Sequence, residues 1–492
     1  MSTPRDEKPR IAIVGGGLAG LAAAMRLGEW STETNRPIDA TLFESESRLG
    51  GAVATIRQDG YLVERGADAF LAKPAILNLC EKLGLADELL PTNTTHRGAL
   101  VLRNGKPLPV PAGFNLMAPT QLRPILTSPI LGLGGKLRLL AEALVPPRRD
   151  SADESLASFA ARRLGKQAFE RLVQPLTSGI YTADPTKLSL AATLPRFVEM
   201  EQLHGGLLRA ARARRKADAI QEDAGGARYG LFAGPRGGME QLLSALRKRV
   251  EETTNIRLGV SVRRVMCGAG DSPTTPGRWR IVTSDNQTLD FDALILALPA
   301  YAAAEILRET DVNLSKMLAS IPYASSAVAA TGHRITDVQH RLEAFGLVIP
   351  TIERRDVLAV SFASRKFPGR APEGRVLLRT FLGGAMRPDQ IQMSDEEMVA
   401  TVRRELGELL GVRGEPDLAV VSRFERAMPQ YHIGHLDLIE RIEATTQGLA
   451  GLELTGSAYR GVGIPDVIAH ATQAAERVID SSHHAPRDGP YV

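Results

Sequence analysis

The 492-residue chain is 43% hydrophobic and 24% charged, the balance of a soluble globular protein long enough for two or three domains. Its 60 basic and 56 acidic side chains leave a net charge of only +4, too weak a bias for a nucleic-acid binder, although anionic small molecules and lipid headgroups stay admissible. Two cysteines, Cys80 and Cys267, cannot form a disulfide framework or a thiolate metal site, and they fit a reducing compartment.

The first ten residues are polar and read as lacking a secretory signal. No apolar run reaches the roughly 18 residues that a membrane-spanning helix needs. Ile11-Ala12-Ile13-Val14 predicts a buried parallel strand. Gly15-Gly16-Gly17-Leu18-Ala19-Gly20 follows, and the spacing of Leu21, Ala24, Met25 and Leu27 predicts a helix. This is G-x-G-x-x-G between strand and helix. Gly15 permits the tight turn, Gly17 a close approach of backbone to a pyrophosphate, and Gly20 close packing of helix on strand. The helix N-terminus then offers free N–H groups to phosphates. A second strand ends at Glu44, near the spacing of about 20 residues expected for a carboxylate that binds ribose hydroxyls. NAD, NADP and FAD share this fingerprint. Arg48-Leu49-Gly50-Gly51 and Glu64-Arg65-Gly66-Ala67-Asp68-Ala69-Phe70 add further small-residue stretches, which favour a longer cofactor than one nucleotide.

Cys80 sits in a helical apolar pattern with Ile76, Leu77, Leu79 and Leu83, so core packing accounts for it. Residues 111–227 read as helical, with helical spacing of apolar residues at 136–144 and 155–164. Segment 111–147 is rich in Leu, Ile and Pro and carries Arg123, Lys136 and Arg138, with Arg148 and Arg149 just beyond. An apolar face with a basic fringe suits a bilayer surface, and an ordinary helical subdomain packed on a sheet explains the pattern equally well. Thr177-Ser178-Gly179 lacks the G-x-S-x-G elbow of a serine nucleophile. The basic run 212–216 reads as a solvated helix end, and 221–227 as mobile. Segment 294–299 predicts another strand, and the alternating stretches 357–362, 376–381 and 419–424 a largely antiparallel sheet. His432 and His435 could face one side of a helix, but Gly434 and the missing third ligand argue against a metal.

At the carboxyl end, Leu452-Glu453-Leu454-Thr455 reads as a strand and Gly456-Ser457-Ala458 as a turn. Tyr459-Arg460-Gly461-Val462-Gly463-Ile464-Pro465-Asp466 leads into a helix patterned by Ile468, Ala471, Ala475 and Val478, with Pro465 in its first turn. Its N–H groups suit a flavin carbonyl that becomes negative on reduction. Both ends of the chain therefore point to one FAD. The tail 481–492 reads as disordered.

These residues resemble the oxygen-dependent porphyrinogen oxidases, which take protoporphyrinogen IX or coproporphyrinogen III, within the flavin amine oxidase-like superfamily. The likeness rests on Gly15 to Gly20, Glu44 to Gly51, Glu64 to Phe70, Gly234-Pro235-Arg236-Gly237-Gly238-Met239, Phe367-Pro368-Gly369-Arg370-Ala371-Pro372, Phe381-Leu382-Gly383-Gly384 and Gly456 to Asp466. The resemblance implies FAD contacts at Gly15, Gly16, Gly17, Leu18, Ala19, Gly20, Glu44, Ser45, Ala52, Gly66, Ala67, Asp68, Ala69, Val262, Ser457, Val462, Gly463 and Ile464. It implies a substrate pocket at Phe345, Gly346, Val348 and Phe381, apolar or small as a flat tetrapyrrole requires. Many relatives place a propionate-binding arginine where this chain has Ala99; Arg97 and His96 stand close by, and Arg97 is the candidate.

The implied fold is α/β and α+β. A Rossmann-like FAD-binding domain at 10–75, 228–298 and 440–480 joins a mixed-sheet substrate domain at 76–110 and 299–439, and a helical subdomain at 111–227 contacts a membrane or packs on the sheet. The expected activity is the six-electron oxidation of protoporphyrinogen IX to protoporphyrin IX in haem biosynthesis, with oxygen as acceptor and hydrogen peroxide released. Coproporphyrinogen III is the alternative substrate. A related amine oxidase or carotenoid desaturase, or a non-catalytic FAD-containing porphyrin carrier, is the competing reading. No general base is nominated; Asp68, beside the flavin segment, is the one side chain that could serve. No metal and no nucleic acid are expected. A cytoplasmic protein, peripheral on the cytoplasmic face of the membrane or free of it, and a homodimer are compatible with the chain.

Overall fold

The computed structural model describes residues 8–96, 98–150, 152–218, 232–268 and 278–484. Five short, wholly parallel strands form the central sheet, in the order Thr254–Leu258, Asp39–Glu44, Arg10–Val14, Ala293–Leu296 and Leu452–Leu454. They are apolar on both faces because both faces are covered. On one side, Ile11 and Ile13 pack with the helices Leu18–Thr34, Met239–Glu251 and Ile464–His484. On the other, Ala12, Val14 and Leu294 pack beneath the antiparallel strands Val262–Gly268, Arg278–Thr283 and Thr288–Phe291 and the helix His435–Gln447. Cys80 is fully buried in the first of these cores.

The second sheet has seven strands, ordered Leu418–Pro429, Tyr323–Arg334, Arg375–Gly383, Ala359–Phe362, Gly346–Val348, Leu100–Arg103 and Lys106–Pro109. It is mixed: only the pairing of Gly346–Val348 with Leu100–Arg103 is parallel. Alternation divides its faces. Val376, Leu378, Val360 and Leu347 lie under the helix Asp395–Leu410, which starts in a Ser394–Glu397 capping box and stops at left-handed Gly411. Leu377, Arg379 and Phe381 turn to the opposite face, where Leu377 packs with Tyr61 and Val63.

The helical layer begins with a small hairpin, Phe114–Asn115 with Ala118–Pro119, and is not helical throughout. Its helices include Leu133–Leu140 and Leu156–Leu164, the latter capped by the Ser155 hydroxyl on the Ser158 N–H. Phe169–Val173 is wound as a π-helix immediately ahead of Gln174–Tyr181. Pro175 accounts for this, since it has no N–H for the preceding turn and its ring crowds the carbonyl of Arg171.

Two further expectations are corrected. The last helix continues through His484, so residues 481–484 are not disordered: it buries Ala475, Val478 and Ile479 against the first core and carries on past them. The helix at 435 begins at His435, after left-handed Gly434, so His432 precedes it and the two imidazoles do not share a helix face. Residues 221–227 and 485–492 lie outside the described residues. Among the described residues no helix is long and apolar enough to cross a membrane, and no cluster of three metal-ligating side chains occurs.

Candidate functional site

The amino-terminal turn has the shape its glycines predict. Gly15 takes φ +106°, and a side chain there would overlap the Ala297 carbonyl of the neighbouring strand connection. A methyl group on Gly20 would overlap the Gly15 carbonyl, so the first helix rests directly on the turn. Gly17 differs: nothing lies within 4 Å of where its Cβ would stand. It is also the N-cap of helix Leu18–Thr34 and supplies no side-chain cap, so the N–H groups of that first turn open onto free space.

Gly50 and Gly51 close one wall of this opening. Gly17 and Gly50 form a parallel bridge, and the Gly50 N–H donates to the Gly16 carbonyl at 2.9 Å. The buried Glu44 carboxylate accepts from the Gly16 N–H at 2.6 Å, and from the Glu46 N–H at 2.8 Å and the Ser45 hydroxyl at 3.1 Å on its other oxygen. Lone pairs remain for ribose hydroxyls, but part of this carboxylate's capacity goes to fixing its own turn. The Val260 N–H donates to the Glu44 carbonyl and that of Gly259 to the Glu46 carbonyl, both at 2.9 Å, which brings Val262 alongside the same end.

A second approach comes from Ala52 and 66–69. Gly66 is packed so closely on the Ala52 carbonyl that no side chain fits. The Asp68 carboxylate meets Lys366 at 2.9 Å and Arg379 at 3.2 Å. Burial raises its affinity for a proton, yet Lys366 and then Arg379 outweigh that and hold it well below the usual carboxylate range. Asp68 is therefore a holder of two cations and a weak base. Arg379 also donates to the Gly66 carbonyl, tying this segment to the second sheet.

The carboxyl-terminal turn opens at the same place. Register aligns Val14 with Leu296 and Leu296 with Leu454, so the two glycine turns leave one sheet edge with a single strand between them, a spacing of about 10 Å. Helices Leu18–Thr34 and Ile464–His484 thus begin side by side. Gly456 and Gly461 have φ of +129° and +132°, and a side chain on Gly461 would meet Asp466, which is paired with Lys73 at 2.6 Å. Tyr431, which sequence reasoning missed, and His435, which it weighed only against a metal role, brace this turn. The Tyr431 hydroxyl donates to the Ser457 carbonyl at 2.6 Å and accepts from the Gly461 N–H at 2.9 Å; His435 Nε2 meets the Tyr459 carbonyl at 3.0 Å. Only the short distance from 431 and 435 to the glycine turn along the sequence could have hinted at them.

Facing these turns is the free side of the second sheet. Val348, Ala359 and Phe381 occupy one cross-strand row, and Gly346, Ser361 and Arg379 the next. Because Arg379 reaches Gly66 and Asp68, the face that carries Phe381 and Val348 is the one turned toward residues 66–68. Val348 and Val462 both pack against the helical core that includes Leu172 and Val173, which closes a third side. Gly346 owes its lack of a side chain to the sheet itself, since a Cβ would meet the Val360 carbonyl at 2.5 Å. Phe345 stands half-buried just ahead of the strand, its N–H on the Gly98 carbonyl at 2.9 Å, one residue out of step with Gly346 and Val348. Arg97 lies outside the described residues; the Ala99 carbonyl, two residues on in sequence, accepts from the Val110 N–H.

A dinucleotide carrying a planar ring fits this arrangement: an uncapped helix start with open space over Gly17, a carboxylate at the next strand end, and a second glycine-led helix start one strand away. Known proteins agree with it. The "Flavin containing amine oxidoreductase" family profile matches residues 18–479. A coproporphyrinogen III oxidase of Bacillus subtilis (strain 168) is 34% identical over 467 residues, covering 94% of this chain and 96% of that one. A chloroplastic protoporphyrinogen oxidase 1 of Spinacia oleracea is 28% identical over 491 residues, covering 95% and 84%. The crystal structure of a provisionally named protoporphyrinogen oxidase from Exiguobacterium sp. 255-15 has TM-score 0.82 at 29% identity and covers 96% and 99%.

Proposed function

This chain belongs to the flavin-containing amine oxidoreductase family and is an FAD-dependent oxidase, and we propose that it oxidises a porphyrinogen to the corresponding porphyrin in haem biosynthesis. The observation that carries this reading is the meeting of two glycine turns, each leading into a helix, at one sheet edge with the apolar row of Val348 and Phe381 set opposite. FAD supplies acceptance of two electrons per pass, so three passes remove the six electrons, with three oxygen molecules leaving as hydrogen peroxide.

The protein's own part is to hold and to exclude. Gly17, Leu18, Ala19 and Gly20 offer N–H groups to the pyrophosphate, Gly15 and Gly16 hold the turn by donating to Phe43 and Glu44, and Glu44 with Ser45 and Val262 takes the adenosine end. Ala52 and Gly66 to Ala69, with Ser457, Val462, Gly463 and Ile464, line the ring end. Phe381 and Val348, with Gly346 and Phe345 at the rim, give the flat macrocycle an apolar wall and keep water out. Formation of the aromatic product provides driving force, and the paired state of Asp68 agrees with a reaction needing no side-chain base.

Greater likeness to the bacterial coproporphyrinogen III oxidase than to the plant enzyme favours coproporphyrinogen III as the substrate; protoporphyrinogen IX, the first expectation from sequence, is the second reading. Leu133, Leu137, Leu144 and Leu203, at 67–83% exposure, support peripheral contact of the helical layer with lipid. The test is porphyrin fluorescence and peroxide yield on both porphyrinogens under oxygen, with the purified FAD-loaded protein. Absence of FAD, or no turnover of either substrate, overturns the proposal. Bound porphyrin with a flavin that oxygen does not reoxidise establishes the carrier instead.

A further inference from the structure

We infer that Tyr431, backed by His435, is a positioning residue that sets the shape of the flavin-facing turn at 456–464 and through it the redox behaviour of the cofactor. The inference rests on the reading that Ser457 and Val462 to Ile464 lie at the flavin.

The geometry is a strap laid across the back of the turn. The Tyr431 hydroxyl uses both its capacities on the turn, donating to Ser457 and accepting from Gly461, so it spans residues 457 to 461 with one oxygen. Between those two points the Tyr459 carbonyl is taken by His435 Nε2. A carbonyl only accepts, so the Nε2 position carries the proton and the imidazole is the Nε2–H tautomer. The rings of Tyr431 and His435 stack at 3.9 Å with 12° between their planes, and both residues are buried, at 3% and 4% exposure. Backbone groups at 457, 459 and 461 are therefore all fixed from one side. The N–H groups of Val462 and Gly463 find no acceptor among the described residues, and the strap determines where they point.

The strap is itself fixed from behind. The Tyr431 carbonyl accepts from the Ser189 N–H at 2.7 Å, the Ile433 N–H donates to the Lys187 carbonyl at 2.9 Å, and the Gly434 N–H donates to Asp153 at 3.0 Å. Tyr431 packs in the helical core with Leu188 and Leu190. His435 has a mechanical role here: it supports a ring and a carbonyl. Donors fixed before reaction stabilise developing charge more than donors that must reorganise, so loosening this turn weakens stabilisation of the reduced flavin without removing a contact to substrate.

The experiment is Tyr431→Phe in the FAD-loaded full chain, reading FAD per chain, flavin absorption, flavin reduction potential, and kcat and KM on a porphyrinogen. The expected result is full FAD occupancy, a displaced potential, kcat lowered about 10- to 100-fold and KM within about twofold. His435→Gln, whose amide can still donate to the Tyr459 carbonyl, is expected to keep the wild-type potential, and His435→Leu to shift it. A Phe variant with wild-type potential and kcat overturns the inference. Should that variant fail to fold, equal potentials in the Gln and Leu variants overturn it in its place. A wild-type protein lacking FAD or porphyrinogen turnover sinks the functional reading, a failure visible before any variant is made.

Discussion

Gly17 and Gly20 are three residues apart in one motif, and the structure assigns them opposite roles that a pair of alanine substitutions separates. At Gly20 a methyl group would lie 3.1 Å from the carbonyl carbon of Gly15 and closer still to its oxygen, against backbone that cannot rotate away. The helix must move off the turn, and the cost belongs with overpacking, about 1–3 kcal/mol or more. At Gly17 there is no atom within 4 Å of the added methyl, and the backbone has φ −73° and ψ −177°, which alanine adopts freely. The apoprotein carrying Gly17→Ala should therefore lose at most about 1 kcal/mol, the difference between glycine and alanine at an N-cap. The methyl does occupy the space through which, on the proposed reading, phosphate oxygens would reach the helix N–H groups. Losing one or two charge-assisted hydrogen bonds costs roughly 2–3 kcal/mol, a 30- to 150-fold rise in the Kd for FAD. Flavin fluorescence titration and thermal melting of both apoproteins measure the two effects. Wild-type FAD affinity in Gly17→Ala, or a Gly20→Ala apoprotein as stable as wild type, would refute this reading of the turn.

Phe381→Ala removes the largest apolar surface of the row proposed to face the substrate from a half-buried site, so KM for the porphyrinogen should rise about 10- to 100-fold while FAD content holds; an unchanged KM places the substrate elsewhere. Arg379→Met leaves the Gly66 carbonyl and one side of Asp68 unpartnered at a residue with 2% exposure, and denaturant unfolding should show a loss of roughly 3 kcal/mol. Asp68→Asn added to that variant should recover part of the loss, which an additive result contradicts. Burial lowers His333, His435 and His470 from an ordinary value of 6.5 to about 4. A depressed folded value means that the unfolded chain binds more protons between the two, so stability is full above about pH 6.5 and falls as pH drops toward 4, by about 3 kcal/mol per histidine at most. Melting temperatures flat across that window would contradict the burial of these rings.

Local chemistry was legible wherever one short segment contained all its parts. Strand, glycine turn and helix at both ends could be read from the sequence because a turn needing φ near +106° admits only glycine and because 3.6-residue spacing marks the helix that follows. The free face of the second sheet was visible as alternation in 376–381. Its orientation was not, since the partner of Arg379 is a carboxylate more than 300 positions earlier. The same limit hid Tyr431 and His435: their partners are backbone carbonyls and an N–H, which have no sequence signature. The π-helix at Phe169–Val173 was foreshadowed only by Pro175, and a proline there equally permits a plain break.

The ionisable groups around the two turns share one pattern. Glu44 holds Gly16 and Glu46, Asp68 holds Lys366 and Arg379, Lys73 holds Asp466, and His435 holds Tyr459. Each acts on the protein's own backbone or on another side chain, Glu44 alone keeping lone pairs for a ribose, and the wall proposed to face the substrate is built of glycine, valine and phenylalanine. A site so constructed recognises a flat apolar body by shape and leaves electron transfer to the flavin, because a group already committed to a buried partner gains little by taking a proton from substrate. It follows that substitutions at these ionisable positions should act on cofactor retention and fold stability, and that they should not produce the new pH-rate limb which removal of an acid or a base would create.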